Sequence, residues 1–410
     1  MKRRVVITGT GTISPLGNDT ETLWNNIKRG NSGIQQLTSS DFDQVNTRIA
    51  GCVEDFRGEE YLEPKETKRH DLFVQYAYAA AVQALEESDL PLKKLDKDRA
   101  GIYIGSGAGG LNTLMENYQT MLDKGAKRVS PFMLPTSITN MASGLTAIKT
   151  GFTGPSFSPS SACATGNHAI GEAYHTIAHG YADVMIAGGS EAPINPLYFA
   201  GFAKMGAMST KNETPGQASQ PFNRDRDGFV MAEGAGVLLL EDYDYAKQRG
   251  AEIVGEIIGY GSTTDAYHMT SPSPLGAQKA MKLALERSGL STKDVDYINA
   301  HGTGTPTGDI SETEAIQGLF GNDAGGLKVS STKSMTGHLF GAAGGVESII
   351  TLKSLQNDTF PPTINLHHPD PDCTLDYVSN EAEKGSVEVA LSNGFGFGGH
   401  NAVLTFKKYH

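Results

Sequence analysis

One motif occurs twice in this chain. Ser160-Ser161-Ala162-Cys163-Ala164-Thr165-Gly166 returns, one residue longer, as Ser330-Ser331-Thr332-Lys333-Ser334-Met335-Thr336-Gly337. Each copy follows a strand-like stretch and precedes a helix-like one. Upstream, Gly101-Ile102-Tyr103-Ile104-Gly105-Ser106-Gly107 parallels Tyr297-Ile298-Asn299-Ala300-His301-Gly302-Thr303-Gly304. Ile104 to Ser160 spans 56 positions and Ala300 to Ser330 spans 30, so the first copy carries about 26 extra residues, near Leu111–Thr139. A duplicated unit packs about a pseudo-twofold axis, which predicts that Cys163 and Lys333 lie close together. The junction is expected near Gly250, giving halves 1–250 and 251–410.

The segments between the motifs alternate in type. Arg4–Thr8, Gly101–Ile104, Asp183–Ala187, Gly236–Leu240, Val254–Ile258, Val295–Ile298, Lys328–Ser330 and Val387–Leu391 read as buried strands. Phe73–Glu87, Asn167–His179, Ala277–Ser288 and Val346–Leu355 read as helices. That alternation predicts a layered α/β architecture.

Cys163 sits between small residues at the mouth of a helix. Unpaired N–H groups and the helix dipole there favour a thiolate, so the thiol pKa is expected to fall and the sulfur to act as a nucleophile. A free cysteine is more commonly a buried structural residue, and the local pattern leaves both readings open. The other cysteines, Cys52 and Cys373, are scattered, and three cysteines do not make a disulfide framework. His301 is placed at a strand end before a Gly-rich loop, and His338 lies just past the second motif copy. Strand ends facing helix N-termini are where α/β proteins build sites. His168, His175 and His179 read as ordinary helix residues, and His367 and His368 as loop residues.

Four ordered stretches together carry a resemblance: PSSACATG, AHGTGTPTGD, SSTKSMTGHLFGAAGGVE and SNGFGFGGHNA. They resemble the β-ketoacyl-acyl-carrier-protein synthases, and more narrowly the elongating type II members of bacterial fatty acid synthesis. The resemblance runs over essentially the whole chain. It implies a thiolase-like fold, with duplicated βαβαβαββ units in a five-layer αβαβα arrangement. It also implies an acyltransferase that condenses an acyl chain on Cys163 with malonyl-acyl carrier protein, losing carbon dioxide, to give a 3-oxoacyl chain two carbons longer.

Roles for other residues follow from that resemblance. His301 and His338 match two neutral imidazoles that stabilise the malonyl thioester oxygen, and the backbone N–H groups of Cys163 and Phe397 match an oxyanion hole. Lys333 is expected to support His338 and neutralise charge, and Asp265 and Glu347 to pair with Lys333 or order water. Thr303 and Thr305 match bonds to the phosphopantetheine arm, and Phe397, flanked by glycines, a swinging gate. Phe202, Met133 and Ala108 are expected along the acyl pocket. Ala108 stands where isoleucine is common, which predicts extra room for long or bent chains. Gly394 and Ala232 also depart from the common pattern, away from catalytic positions.

The inserted segment with Phe132, Met133 and Leu134 matches a homodimer interface. Lys65, Lys68 and Arg69, with Lys124, Lys127 and Arg128, are basic clusters in a chain of net charge −12. They are expected to dock an acidic carrier protein, although Gly206 replaces a basic residue found in some relatives. The acidic balance excludes a general nucleic-acid binder. No apolar run approaches a membrane span, and the N-terminal apolar run is too short for a signal peptide, so a cytoplasmic protein is expected. No bound cofactor or metal is expected, since the phosphopantetheine arm arrives on the carrier.

Other classes fit less well. Gly105–Gly110 matches a dinucleotide-binding fingerprint without the acidic strand end that should follow. Ser330-Ser331-Thr332-Lys333 matches a penicillin-binding pattern, but Lys149-Thr150-Gly151 precedes it and no S-D-N occurs. A thiolase needs a second cysteine in the terminal Gly-rich motif, and an inactive chain-length factor usually lacks the one at 163.

Overall fold

The computed structural model describes residues 2–410. Nine strands, β1 (Val5–Ile13), β2 (Ala100–Gly105), β3 (Val184–Glu191), β4 (Gly234–Asp242), β5 (Gly255–Thr264), β6 (Tyr297–Asn299), β7 (Lys328–Ser330), β8 (Val389–Gly396) and β9 (His400–Lys407), share one hydrogen-bonded order, β2-β3-β4-β1-β5-β9-β8-β6-β7. The order is a palindrome about the β1–β5 seam, where Val5–Ile7 pairs antiparallel with Gly255–Ile257. On each side an antiparallel pair comes first, then a second antiparallel pair, then a parallel one. β7 has only a single bridge as its counterpart, Ile102 with Ser156. Both of these precede a copy of the duplicated motif.

The helices in chain order include α1 (Leu72–Ser88), α2 (Leu111–Lys124), α3 (Met133–Ser137), α4 (Met141–Thr150), α5 (Thr165–Ala178), α6 (Pro274–Ser288), α7 (Pro306–Phe320) and α8 (Ala343–Asn357). α1 and α4 cover the outer face of the first half, and α6 and α7 that of the second. α5 and α8 pack against each other between the two halves. The result is five layers, the thiolase fold. α8 is buried on every side from Ala343 to Leu355, as a helix sandwiched in a middle layer must be.

The repeat extends to single atoms. A Cβ on Gly9 or Gly11 of β1 would lie 2.0 and 1.9 Å from the carbonyls of Ala84 and Ala80 in α1. A Cβ on Gly259 or Gly261 of β5 would lie 2.3 and 1.9 Å from those of Ala284 and Ala280 in α6. In both halves a Gly-x-Gly strand lets the outer helix rest on backbone.

The insertion falls at the expected place. α2 and α3 occupy it, whereas the second half spans β6 to β7 with α7 alone. The insertion leaves large apolar side chains in the open, among them Tyr118 at 55%, Leu122 at 60% and Leu134 at 67% exposure. Among the described residues no helix is long and apolar enough to cross a membrane.

Candidate active site

Cys163 lies two residues before α5 in a tight turn whose preceding residue, Ala162, has φ +50°. A cavity of about 430 Å³ opens onto it, lined also by His301, His338, Ala108, Phe202, Thr303, Thr305, Asp265 and Phe397. His338 Nε2 stands 3.0 Å from Cys163 Sγ. The His301 ring lies perpendicular to that of His338, with centroids 5.4 Å apart. The duplicated fold therefore brings both histidines from the second half to the cysteine of the first.

Backbone ties hold each ring. His338 N–H donates to Val230 O at 2.7 Å, and its own carbonyl accepts from Ala232 at 2.9 Å. His301 N–H donates to Glu312 Oε1 at 2.9 Å, and Gly302 N–H to Glu312 Oε2 at 2.7 Å. Asn393 Nδ2 donates to the same carboxylate. Nδ1 of each ring is buried without a hydrogen-bond partner.

Charge in the pocket is set by burial and one lysine. Lys333, buried, is ion-paired with Glu347. Burial, then the nearby Lys333 ammonium, hold His338 well below the ordinary histidine range, and the same two causes, with His338 adding a little, hold His301 there. Both imidazoles are neutral at physiological pH. Burial likewise pushes Glu347 up to about 7 while Lys333 pulls it down. We read the pair as ionised, because an ammonium in direct contact favours the carboxylate.

The thiol's ionisation is corrected, and two other expectations are narrowed. The thiol does not rest as a thiolate. Cys163 is only 8% exposed, and burial pushes it up to about 12 against the pull of Lys333. Desolvation outweighs the helix end, so the proton must leave during attack, and His338 is the group within reach. Asp265 does not pair with Lys333. It accepts from Asn401 Nδ2 at 2.7 Å and Ser273 N–H at 2.9 Å, beside the Gly-rich hairpin turn. Met133 does not line the cavity within one chain, and its expected place along the tunnel rests on the insertion meeting a second copy. It starts α3 in the exposed insertion, away from Cys163.

The remaining candidates line the cavity or lie on the surface. Phe202 forms an aromatic wall with Phe229, Phe340 and Phe397, at centroid distances of 5.3, 5.2 and 6.3 Å. Thr303 and Thr305 face each other with hydroxyls 3.0 Å apart. Phe397 tops the turn between β8 and β9, with Gly398 at φ +85° and Gly399 at φ +74°. Lys65, Lys68, Arg69, Lys127 and Arg128 are exposed. The Arg69 guanidinium lies 4.8 Å over the Phe132 ring, which joins the first basic cluster to the insertion carrying the second.

Sequence reasoning passed over Glu312, Phe229 and Phe340. Glu312 stands in an acidic run, Asp309 to Glu314, in a segment not read as a helix, and only the packing of α7 turns it inward.

A buried thiol and two neutral imidazoles meeting across the two halves of a thiolase fold have the arrangement of a condensing enzyme. The profiles named β-ketoacyl synthase, N-terminal domain, and β-ketoacyl synthase, C-terminal domain, match residues 2–246 and 254–367. The chain belongs to the β-ketoacyl synthase family. It is 50% identical to a 3-oxoacyl-[acyl-carrier-protein] synthase 2 of Synechocystis sp., over 100% of this chain and 99% of that protein. Its identity to the Staphylococcus aureus protein of the same name is 48%, over 99% of each. Among solved structures, a β-ketoacyl synthase from Burkholderia phymatum superposes with a TM-score of 0.93 at 33% identity, covering 100% of both chains. A type II polyketide ketosynthase solved with its acyl-carrier protein superposes at 0.91 with 34% identity, again over 100% of both.

Proposed function

We propose that this chain elongates fatty acyl chains by decarboxylating condensation of malonyl-acyl carrier protein with an acyl thioester on Cys163. The observation that carries the assignment of roles is the Sγ–Nε2 contact of 3.0 Å beside a second neutral imidazole. In the first half-reaction His338 takes the thiol proton as sulfur attacks the incoming thioester, and the proton passes to the departing carrier thiolate. In the second, the malonyl carboxylate leaves as carbon dioxide, and its bonding electrons become an enolate on the carrier-bound acetyl unit. A neutral ring can donate N–H to that enolate oxygen without first losing a proton, which is the role assigned to His301 and His338. The enolate carbon attacks the acyl carbonyl, the Cys163 thiolate departs, and it regains a proton from solvent. Loss of carbon dioxide itself generates the carbanion, so the chemistry needs no bound cofactor.

Lys333 adds to burial in keeping both rings neutral, Thr303 and Thr305 bind the amides of the phosphopantetheine arm, and Phe397 gates the acyl pocket. Acyl carrier protein docks on Lys65, Lys68, Arg69, Lys127 and Arg128. A second copy of the chain covers the apolar insertion, giving a homodimer. The three free cysteines fit a reducing, cytoplasmic setting. Separating the half-reactions tests the roles. His301→Ala should still become acylated at Cys163 yet release almost no carbon dioxide from malonyl-acyl carrier protein, whereas His338→Ala should slow both. An unimpaired second step in His301→Ala would overturn the division of labour.

A further inference from the structure

Ala162 holds a left-handed conformation, φ +50°, that a residue with a Cβ rarely adopts. It immediately precedes the nucleophile, so whatever maintains the turn also aims the sulfur. Two sets of side chains grip it. Thr165 Oγ1 accepts the Ser161 N–H at 2.9 Å and donates to the Ala162 carbonyl at 2.7 Å, closing the turn from inside. Ser161 Oγ meets His168 Nδ1 at 2.7 Å, and His168 Nε2 meets Ser262 Oγ at 3.1 Å. Ser262 belongs to β5 of the other half, directly opposite Ala402 on the strand that leaves the gate turn.

We propose that Thr165 and the Ser161–His168–Ser262 chain are positioning residues: together they brace the strained turn and fix the Cys163 backbone against the gate strand. The contact they set is close. A Cβ on Gly396 would lie 2.4 Å from the Ser161 carbonyl and 3.1 Å from the Cys163 nitrogen. Gly396 directly precedes Phe397, so a shift of the turn moves one oxyanion donor relative to the other. It also carries Sγ away from His338. Burial holds His168 at about 4, so the ring stays neutral and can bridge the two serine hydroxyls, one nitrogen donating and the other accepting. The same turn is open at its other edge, where the cavity reaches Ala162 and Cys163, so the brace is what closes it from behind.

The inference rests on Cys163 as the nucleophile, and its test reads the thiol without needing condensation. The full-length protein is treated with iodoacetamide, and alkylation of Cys163 is followed by peptide mass spectrometry for Ser161→Ala, Thr165→Val and His168→Leu. Acyl-enzyme formation from acyl-acyl carrier protein is measured alongside. Loss of one brace bond is expected to slow both alkylation and acylation by about tenfold, the scale of a single lost hydrogen bond. Ser161→Thr and Thr165→Ser, which keep the hydroxyl, should recover most of the rate. Wild-type alkylation rates in all three disruptive variants, with only a lowered melting temperature, would reduce these residues to scaffolding and overturn the proposal. Normal alkylation of wild-type protein without any acyl-enzyme would instead sink the assigned function and leave the brace standing.

Discussion

At Cys163 two opposing influences decide the chemistry. Burial keeps the thiol protonated, while Lys333 lowers both the thiol and the imidazole pKa values. Neutral rings are needed for condensation, and their depressed pKa values place the acid limb of activity below the usual histidine range. Removing the lysine charge raises the histidine pKa, so the limb must move up. Lys333→Met is therefore expected to shift the acid limb of kcat upward, because a nearby like charge that disfavours the charged imidazole is removed; a pH–rate profile over the acid range checks it, and an unmoved limb contradicts it. Ala108 offers a second handle. Its amide donates to Glu191 Oε1 at 2.9 Å and its small side chain lines the cavity. Ala108→Phe should fill that space and shift products toward shorter chains, read from the chain-length profile of acyl-enzymes formed. Most of the reactive residues could be found from the sequence because each occupies a motif with small neighbours. The thiol's protonation state could not, since burial is a property of the packed fold.

At the level of elements, the close strand–helix contacts make the two halves equally intolerant of added bulk. Gly261→Ala would drive a methyl group onto the Ala280 carbonyl, and an overpacked core site of this kind costs about 1–3 kcal/mol. Gly11→Ala should cost a similar amount against Ala80, and denaturant midpoints of both variants measure it. A large loss in one with none in the other would break the claimed equivalence of β1 with β5. The repeat, four long helices and most strands were readable because hydrophobic runs and duplicated motifs are local signals. β9 was missed because SNGFGFGGHNA reads as one glycine-rich loop, whereas the turn itself is only Phe397 to Gly399. α7 was missed because Gly302 to Gly308 reads as coil, although Pro306 is suited to the first helical position. That Asp265 bonds Asn401 and Ser273 rather than Lys333 was not legible, because it depends on spatial neighbours no single sequence displays.

The whole molecule carries net charge −12 yet gathers exposed cations beside an exposed apolar insertion. Exposed apolar side chains grouped on one segment mark an interaction face. The proposed homodimer predicts that Leu134→Lys shifts the protein toward monomer in analytical ultracentrifugation, while the Cys163 pocket, built from both halves of one chain, stays formed. Carrier affinity should fall as salt rises, because the attraction acts between exposed charges. The central claim, however, is that one sulfur and two uncharged rings work on a thioester inside one pocket. Intact-protein and peptide mass spectrometry after incubation with acyl-acyl carrier protein, then with malonyl-acyl carrier protein, tests it most directly. The account predicts one acyl group on Cys163 that disappears on malonyl addition as carbon dioxide and a 3-oxoacyl carrier form. An acyl group on Cys52 or Cys373, or an adduct on Cys163 that malonyl-acyl carrier protein never discharges, would contradict it.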